Sequence, residues 1–235
     1  AEGIEAFMGK RVHETLEFLY NQVKLGQILL IDDILDKYNE LWKSEFHNKI
    51  AIVRREFNWQ QYFNLGERCL AGYYRNYSPF NEPVEGNEVE IIFRLDDSDN
   101  YVIKGIVDRI DQVKHGHFEI HDYKSGKRVL SQSQADQDGQ LALYQIGLTQ
   151  IRDPVESVDL VWHFLQAGLE VRSKRTPVQL QTLIEKTKSK IDKIRIYIKS
   201  HKTFKARESI LCNWCYYWEE CHVKSGGNPF LPKHK

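Results

Sequence analysis

The feature that most constrains the fold is a run of three strand-like segments between residues 88 and 124. "EVEIIFRL" (88–95), "YVIKGIVDRI" (101–110) and "HFEIHDYK" (117–124) are rich in β-branched and aromatic residues. Short turn-forming connections, "DDSDN" and "QVKHG", separate them. Connections this short join only antiparallel neighbours, so the pattern predicts a meander. Before it, apolar residues at helical spacing predict helices over 5–24, 27–46 and 57–77; Met8, Val12, Leu16 and Leu19 mark the first. "SPFNEPVEGN" breaks the helical pattern. After the meander come a helix at about 134–149, a strand at 157–165, a return strand at 169–174 and a long helix with Pro177 in its first turn. The expectation is an α/β chain forming one domain, with a helical lobe over 1–80, a core over 84–200 and a tail over 201–235.

Bulk properties narrow the class without naming a function. The 235 residues are long enough to bury a core, and 41% apolar with 28% charged residues is ordinary for a globular protein. Lys+Arg and Asp+Glu are both 33, so net charge says nothing about a partner. No apolar run approaches the roughly 18 residues of a membrane span, and the amphipathic start "AEGIEAFMGKRVH" is no signal peptide. A cytoplasmic location with no membrane partner is therefore expected. The chain does not begin with Met, which fits a piece of a longer protein or a processed one.

The second and third strands carry the chemistry. If they turn near His115-Gly116, partners have numbers that sum to about 230, which sets Asp108 against Asp122 or one step off. Lys124 lies two residues on, so it shares the face of Asp122. Two carboxylates and an ammonium thus converge among Ile106, Ile110 and Ile120. Facing carboxylates stay ionised only with a cation between them, and oxygen donors suit a hard ion such as Mg²⁺ or Mn²⁺. The lysine would orient a water or offset developing negative charge. The same residues also fit a surface hairpin in which Asp122 pairs with Lys124 and Asp108 with Arg109.

"GIVDRID" followed by "HDYKSGK" resembles the PD-(D/E)XK nuclease superfamily, in its RecB-like branch. "QLALY" matches that branch's Gln-x-x-x-Tyr helix, and "GKRVHETLE" its His-bearing helix. The resemblance covers nearly the whole chain and implies a restriction-endonuclease-like core: helix, three-strand meander, helix, strand. It implies that Asp108, Asp122, His13 and the Tyr123 carbonyl oxygen hold Mg²⁺ or Mn²⁺, with Glu90 as an additional acid. Lys124 would be the catalytic lysine, and Gln140 and Tyr144 would contact DNA or brace the site. The implied activity is metal-dependent hydrolysis of DNA phosphodiesters, from single-stranded ends, in repair or recombination or beside a helicase or CRISPR partner. The rival from another class is a non-catalytic DNA-binding scaffold with a cysteine-bound structural metal.

"CNWCYYWEEC" places Cys212, Cys215 and Cys221 at C-x2-C-x5-C spacing. Thiolates so spaced suit zinc or an iron–sulfur cluster, and spacing alone does not choose. The resemblance chooses, because RecB-like nucleases of the AddB and CRISPR-associated types carry this spacing around a 4Fe-4S cluster. That family's first cysteine precedes the His-bearing helix; no cysteine precedes His13 here, and Cys69 is the remaining candidate for fourth ligand. A basic run from 172 to 207 includes Arg172, Lys174, Arg175, Lys202 and Lys205. It is a candidate track for a phosphate backbone, with Arg172, Lys174, Arg175 and Lys205 as the expected contacts. A solvated helix face explains the remainder.

Overall fold

The computed structural model describes residues 2–201 and 204–232. Lys202 and the last three residues of the expected tail lie outside the described residues. In chain order the elements are β1 (Glu2–Gly3), α1 (Ile4–Lys24), α2 (Ile31–Glu45), β2 (Ile50–Ala51), α3 (Trp59–Tyr77), β3 (Val84–Arg94), β4 (Val102–Lys114), β5 (His117–Lys124), α4 (Gln132–Ala135), α5 (Gln140–Ile151), β6 (Ser157–Phe164), β7 (Leu169–Ser173) and α6 (Pro177–Lys199).

Local chemistry explains where these elements start and stop. Gly26, with φ +75°, ends the first helix, and Asp33 accepts the Leu30 N–H at 2.8 Å to begin the next. The second helix therefore starts at Ile31, four residues later than periodicity predicts. Asn58 and Gln61 exchange capping hydrogen bonds at the start of α3, and Thr176 and Gln179 do the same at α6. The helix expected over 134–149 is two pieces. The Asp138 side chain accepts the Gln140 N–H at 2.9 Å, and Arg175 donates to the Asp138 carbonyl, so the backbone turns at Gly139.

Five strands form one sheet in the order β3-β4-β5-β6-β7. All pairs are antiparallel except β5–β6, which is parallel. The meander is β3-β4-β5 as expected, and β5 becomes a central strand once β6 pairs with it. Two apolar cores result. One joins α1, α2 and α3 to Tyr123 and Leu165. The other joins the sheet to α5, through Ile91, Phe93, Val107, Ile110, Phe118, Ile120, Leu141 and Ala142, with Trp162 at its centre. Leu180, Leu183 and Ile184 of α6 pack against it.

The chain alternates faces along β5, where Phe118, Ile120 and Asp122 point one way and Glu119, His121 and Tyr123 the other. Alternation changes sense in β4: Val107 and Ile110 belong to the same core although three residues apart. The change falls at Asp108. Ile106 is consequently 47% exposed and does not share the burial of Ile110.

Candidate active site

The site is built at the end of β5, where α1 crosses the sheet. Arg109↔His121 and Ile110↔Ile120 are paired residues, the register in which partners sum to 230. Asp108 therefore faces Asp122 at the next step, and Asp108 Oδ2 accepts the Tyr123 N–H at 2.7 Å. His13 approaches from α1. Its Nε2–H donates to the Tyr123 carbonyl at 2.8 Å, and its Nδ1 lies 3.5 Å from Asp108 Oδ2. The imidazole thus lies between a carbonyl oxygen on one nitrogen and a carboxylate on the other. Burial pulls its pKa down, but Asp108, Asp122 and the Tyr123 carbonyl outweigh burial and raise it.

A third group joins them. Ligating atoms of His13, Glu88 and Asp108 lie within 4.8 Å of one another. Asn87↔Arg109 and Val89↔Val107 flank Glu88, which therefore sits opposite Asp108 on the neighbouring strand. Its φ of +47° is a left-handed conformation that costs a non-glycine residue about 1–2 kcal/mol, strain of the kind that persists where a site requires it. Burial and then Asp108 push its carboxyl up to about 6. Glu90, the acid expected on this strand, instead pairs with Lys104 at 2.6 Å on the exposed surface. The signal for Glu88 was present, because a turn centred on Ser98 pairs position 88 with 108.

Lys124 lies beside this group. Its Nζ is 2.7 and 2.9 Å from the two oxygens of Asp122, which is 4% exposed, and 3.2 Å from Gln140 Oε1. Burial raises the Asp122 pKa, Lys124 opposes this and Asp108 adds to it. Gln140 reaches Tyr144 Oη at 3.5 Å, and the Tyr144 ring packs on Gly105, where a Cβ would approach to 2.3 Å. Only glycine at 105 leaves room for this ring. Of the surface-hairpin reading, the Asp122–Lys124 pair is present, though Asp122 is buried, and the Asp108–Arg109 pair is not, because Arg109 pairs with buried Asp111 at 3.0 Å.

Arg109 is the least expected residue. It is 1% exposed, donates to Tyr73 and Tyr123 hydroxyls at 2.8 and 3.1 Å, and lies 4.3 Å over the Tyr20 ring. Through the Tyr123 hydroxyl it fixes the residue whose carbonyl faces His13. A lone "DRID" gives no hint that its arginine points inward.

The remaining expectations sort differently. Arg172 is taken by Glu119 and Glu170, and Lys174 pairs with Asp159 at 3.2 Å. Arg175 donates to the carbonyls of Ala135 and Asp138. All three are engaged within the fold, although Arg172 and Lys174 remain exposed. Lys205 is exposed and makes no ion pair among the described residues.

Cys69 is 1% exposed in the helical core beside Tyr38 and Leu70, and burial pushes its thiol up to about 11. It is not gathered with the tail cysteines in any single-ion group among the described residues. Cys212, Cys215 and Cys221 do not converge as a single-ion site among the described residues. Asn228 Nδ2 instead donates to the carbonyls of Cys212, Asn213 and Cys215 at 3.3, 3.1 and 3.0 Å. Three thiols lie in the tail and the fourth in a core, so nothing among the described residues gathers the four thiolates of a 4Fe-4S cluster.

The hard donors around Asp108 fit a divalent ion: the Asp108 and Glu88 carboxylates and the His13 imidazole lie within 4.8 Å of one another, with the Tyr123 carbonyl and the Asp122 carboxylate alongside. No helix among the described residues is long and apolar enough to cross a membrane. A model of the PD-(D/E)XK nuclease superfamily matches residues 2–222. No curated protein matches the chain. A crystal structure of a "putative exonuclease" from Eubacterium rectale is similar at 12% identity and TM-score 0.47, covering 90% of this chain and 79% of that one. Matched over nearly its whole length, the chain belongs to the PD-(D/E)XK nuclease superfamily.

Proposed function

We propose that the protein is a divalent-metal-dependent deoxyribonuclease that hydrolyses phosphodiester bonds, acting from single-stranded ends in DNA repair or recombination. The observation that carries this is the meeting of His13, Glu88 and Asp108 at one point, with the Lys124–Asp122 pair beside it. Asp108, Glu88, His13, Asp122 and the Tyr123 carbonyl would hold Mg²⁺ or Mn²⁺. When bound, such an ion polarises the phosphate and makes a water nucleophilic at neutral pH.

The chain's own groups do the rest. Asp108 is held in place by the Tyr123 N–H, so its free oxygen is aimed before substrate arrives. Lys124 donates hydrogen bonds to Asp122 and Gln140, which hold its ammonium toward the phosphate whose negative charge grows as the bond breaks. Gln140 fixes the ammonium's direction, and Tyr144 on Gly105 fixes α5 against β4. With Nε2–H given to the Tyr123 carbonyl, His13 Nδ1, on the side of Asp108, is the nitrogen that would serve as a ligand, and ion binding would release a proton wherever His13 starts charged.

The test is cleavage of labelled single- and double-stranded DNA with Mg²⁺ or Mn²⁺, alongside Asp122→Ala and Lys124→Ala. Both variants should lose cleavage. Cleavage that persists in both would remove the site from the mechanism.

A further inference from the structure

We propose that the cavity between the helical lobe, the end of β5 and the cysteine-bearing tail is the binding site for an unpaired DNA strand. The proposal rests on the nuclease reading for the sugar and adds the place where the strand lies. The cavity holds about 770 Å³, within the range of ligand sites, and Ser125, Gly126 and Lys127 form part of its wall. These three residues follow directly on Lys124. A second cavity of about 700 Å³ contains Lys124 and Arg128 and shares Ser125 and Gly126 with the first. The two spaces meet at the residues after the catalytic strand, so a bound chain can run from one to the other. A Cβ at Gly126 would meet nothing within 4 Å, so that junction is open.

The lining has the two chemistries a single strand needs. Arg54, Arg68 and Lys127 are exposed and make no ion pair among the described residues. They differ in this from Arg172 and Lys174, which are ion-paired. The acid on the wall is Glu5, and its oxygens are already used: Tyr62 Oη donates to one at 2.9 Å and Trp214 Nε1 to the other at 3.3 Å. That carboxylate therefore holds two aromatic side chains by their polar ends. Phe57 stands edge-on to Tyr62, with ring centroids 6.0 Å apart. Tyr62 is buried, so the half-buried rings of Phe57 and Trp214 are the ones open to bases; with cations that follow phosphates they make a single-strand platform. A duplex keeps its bases stacked inside and has nothing to offer the rings. Sequence reading did not find these cations because they come from three separate segments, none of them a basic run.

The experiment measures binding apart from cleavage. Fluorescein-labelled oligo-dT is titrated with protein in EDTA, and anisotropy is read across a series of salt concentrations. Wild type is compared with Arg54→Ala/Arg68→Ala/Lys127→Ala and with Phe57→Leu; the first removes only exposed side chains. The triple variant should bind at least tenfold more weakly at about 0.1 M salt. Its slope of log affinity against log salt should fall by about 2, since each single-strand phosphate contact contributes about 0.7. Phe57→Leu should weaken binding about tenfold and leave the slope unchanged. Unchanged affinity and slope in the triple variant would overturn the proposal. Equal loss on a blunt duplex would overturn the preference for an unpaired strand, and tighter binding of oligo-rU would overturn the choice of DNA. Wild type that binds in EDTA yet never cuts with Mn²⁺ refutes the nuclease reading and leaves the binding site standing. Wild type that cuts while the triple variant binds normally does the reverse.

Discussion

Replacing Asp108 by alanine and by asparagine separates its two duties. In the structure its Oδ2 accepts the N–H of Tyr123, a residue only 4% exposed, at 2.7 Å. A hydrogen bond to a charged group contributes about 1.5–3 kcal/mol, and a buried N–H left without a partner costs about 1–3 kcal/mol. Asp108→Ala should therefore destabilise by about 2 kcal/mol, lowering Tm by about 4–8 °C in a chain of this length. Asparagine can accept the same N–H with its amide oxygen. It loses the charge assistance, about 1 kcal/mol, but also ends repulsion with Glu88 and Asp122. Asp108→Asn should keep its Tm within about 4 °C of wild type. Both variants lose an anionic ligand, so both should lose Mn²⁺ binding in titration calorimetry. Both should also lose at least about 3 kcal/mol of transition-state stabilisation, more than a hundredfold in rate. An asparagine variant that cuts DNA like wild type would refute the ligand role. One that melts as early as the alanine variant would refute the hydrogen-bond account.

Glu88→Gln should weaken Mn²⁺ affinity about tenfold, and the fall in wild-type affinity as pH drops through about 6 should become shallower, because that carboxyl no longer takes up a proton. Unchanged affinity would leave Glu88 out of the site. Arg109→Met leaves buried Asp111 with His121, at 3.1 Å, as its remaining partner and should cost about 3 kcal/mol in urea denaturation, whereas Arg109→Met/Asp111→Leu should regain part of it. A double variant as unstable as the single one would show that the charge pair is not the reason. The Glu119 carboxyl is held down at about 2, first by its hydrogen bond to His121 and then by Arg172. Its contribution to stability is complete above its ordinary value of 4.5 and is lost as pH falls from there toward 2. Glu119→Gln should flatten that limb of the urea midpoint against pH, and an unaltered limb would count against it.

The legible part of the site was the part fixed by neighbours in sequence. The turn at His115-Gly116 sets the β4–β5 register, and from it the facing of Asp108 and Asp122 follows by counting. The same count across the first hairpin would have reached Glu88, but alternation alone treats Glu88 and Glu90 alike. Only the left-handed backbone at 88 and the ion pair at 90 distinguish them. What stayed hidden depends on distant partners. Arg172 reads as a free cation until β7 lies along β6 and brings it to Glu119 on β5. Arg109 reads as a strand charge until α3 brings Tyr73 over it. Cys69 reads as a ligand candidate until three helices close around it.

The one parallel pairing in the sheet has a consequence for how the protein is made. β5 can join β4 as soon as residue 124 is synthesised, but its other edge stays open until β6 is complete at Phe164. Asp122 and Lys124 lie beside Trp162 and Phe164 on that last-formed ladder. A growing chain therefore carries an unpaired strand edge, the kind that invites aggregation, through the synthesis of residues 125–156. It also leaves Asp122 and Lys124 on a strand with one open edge until β6 is made.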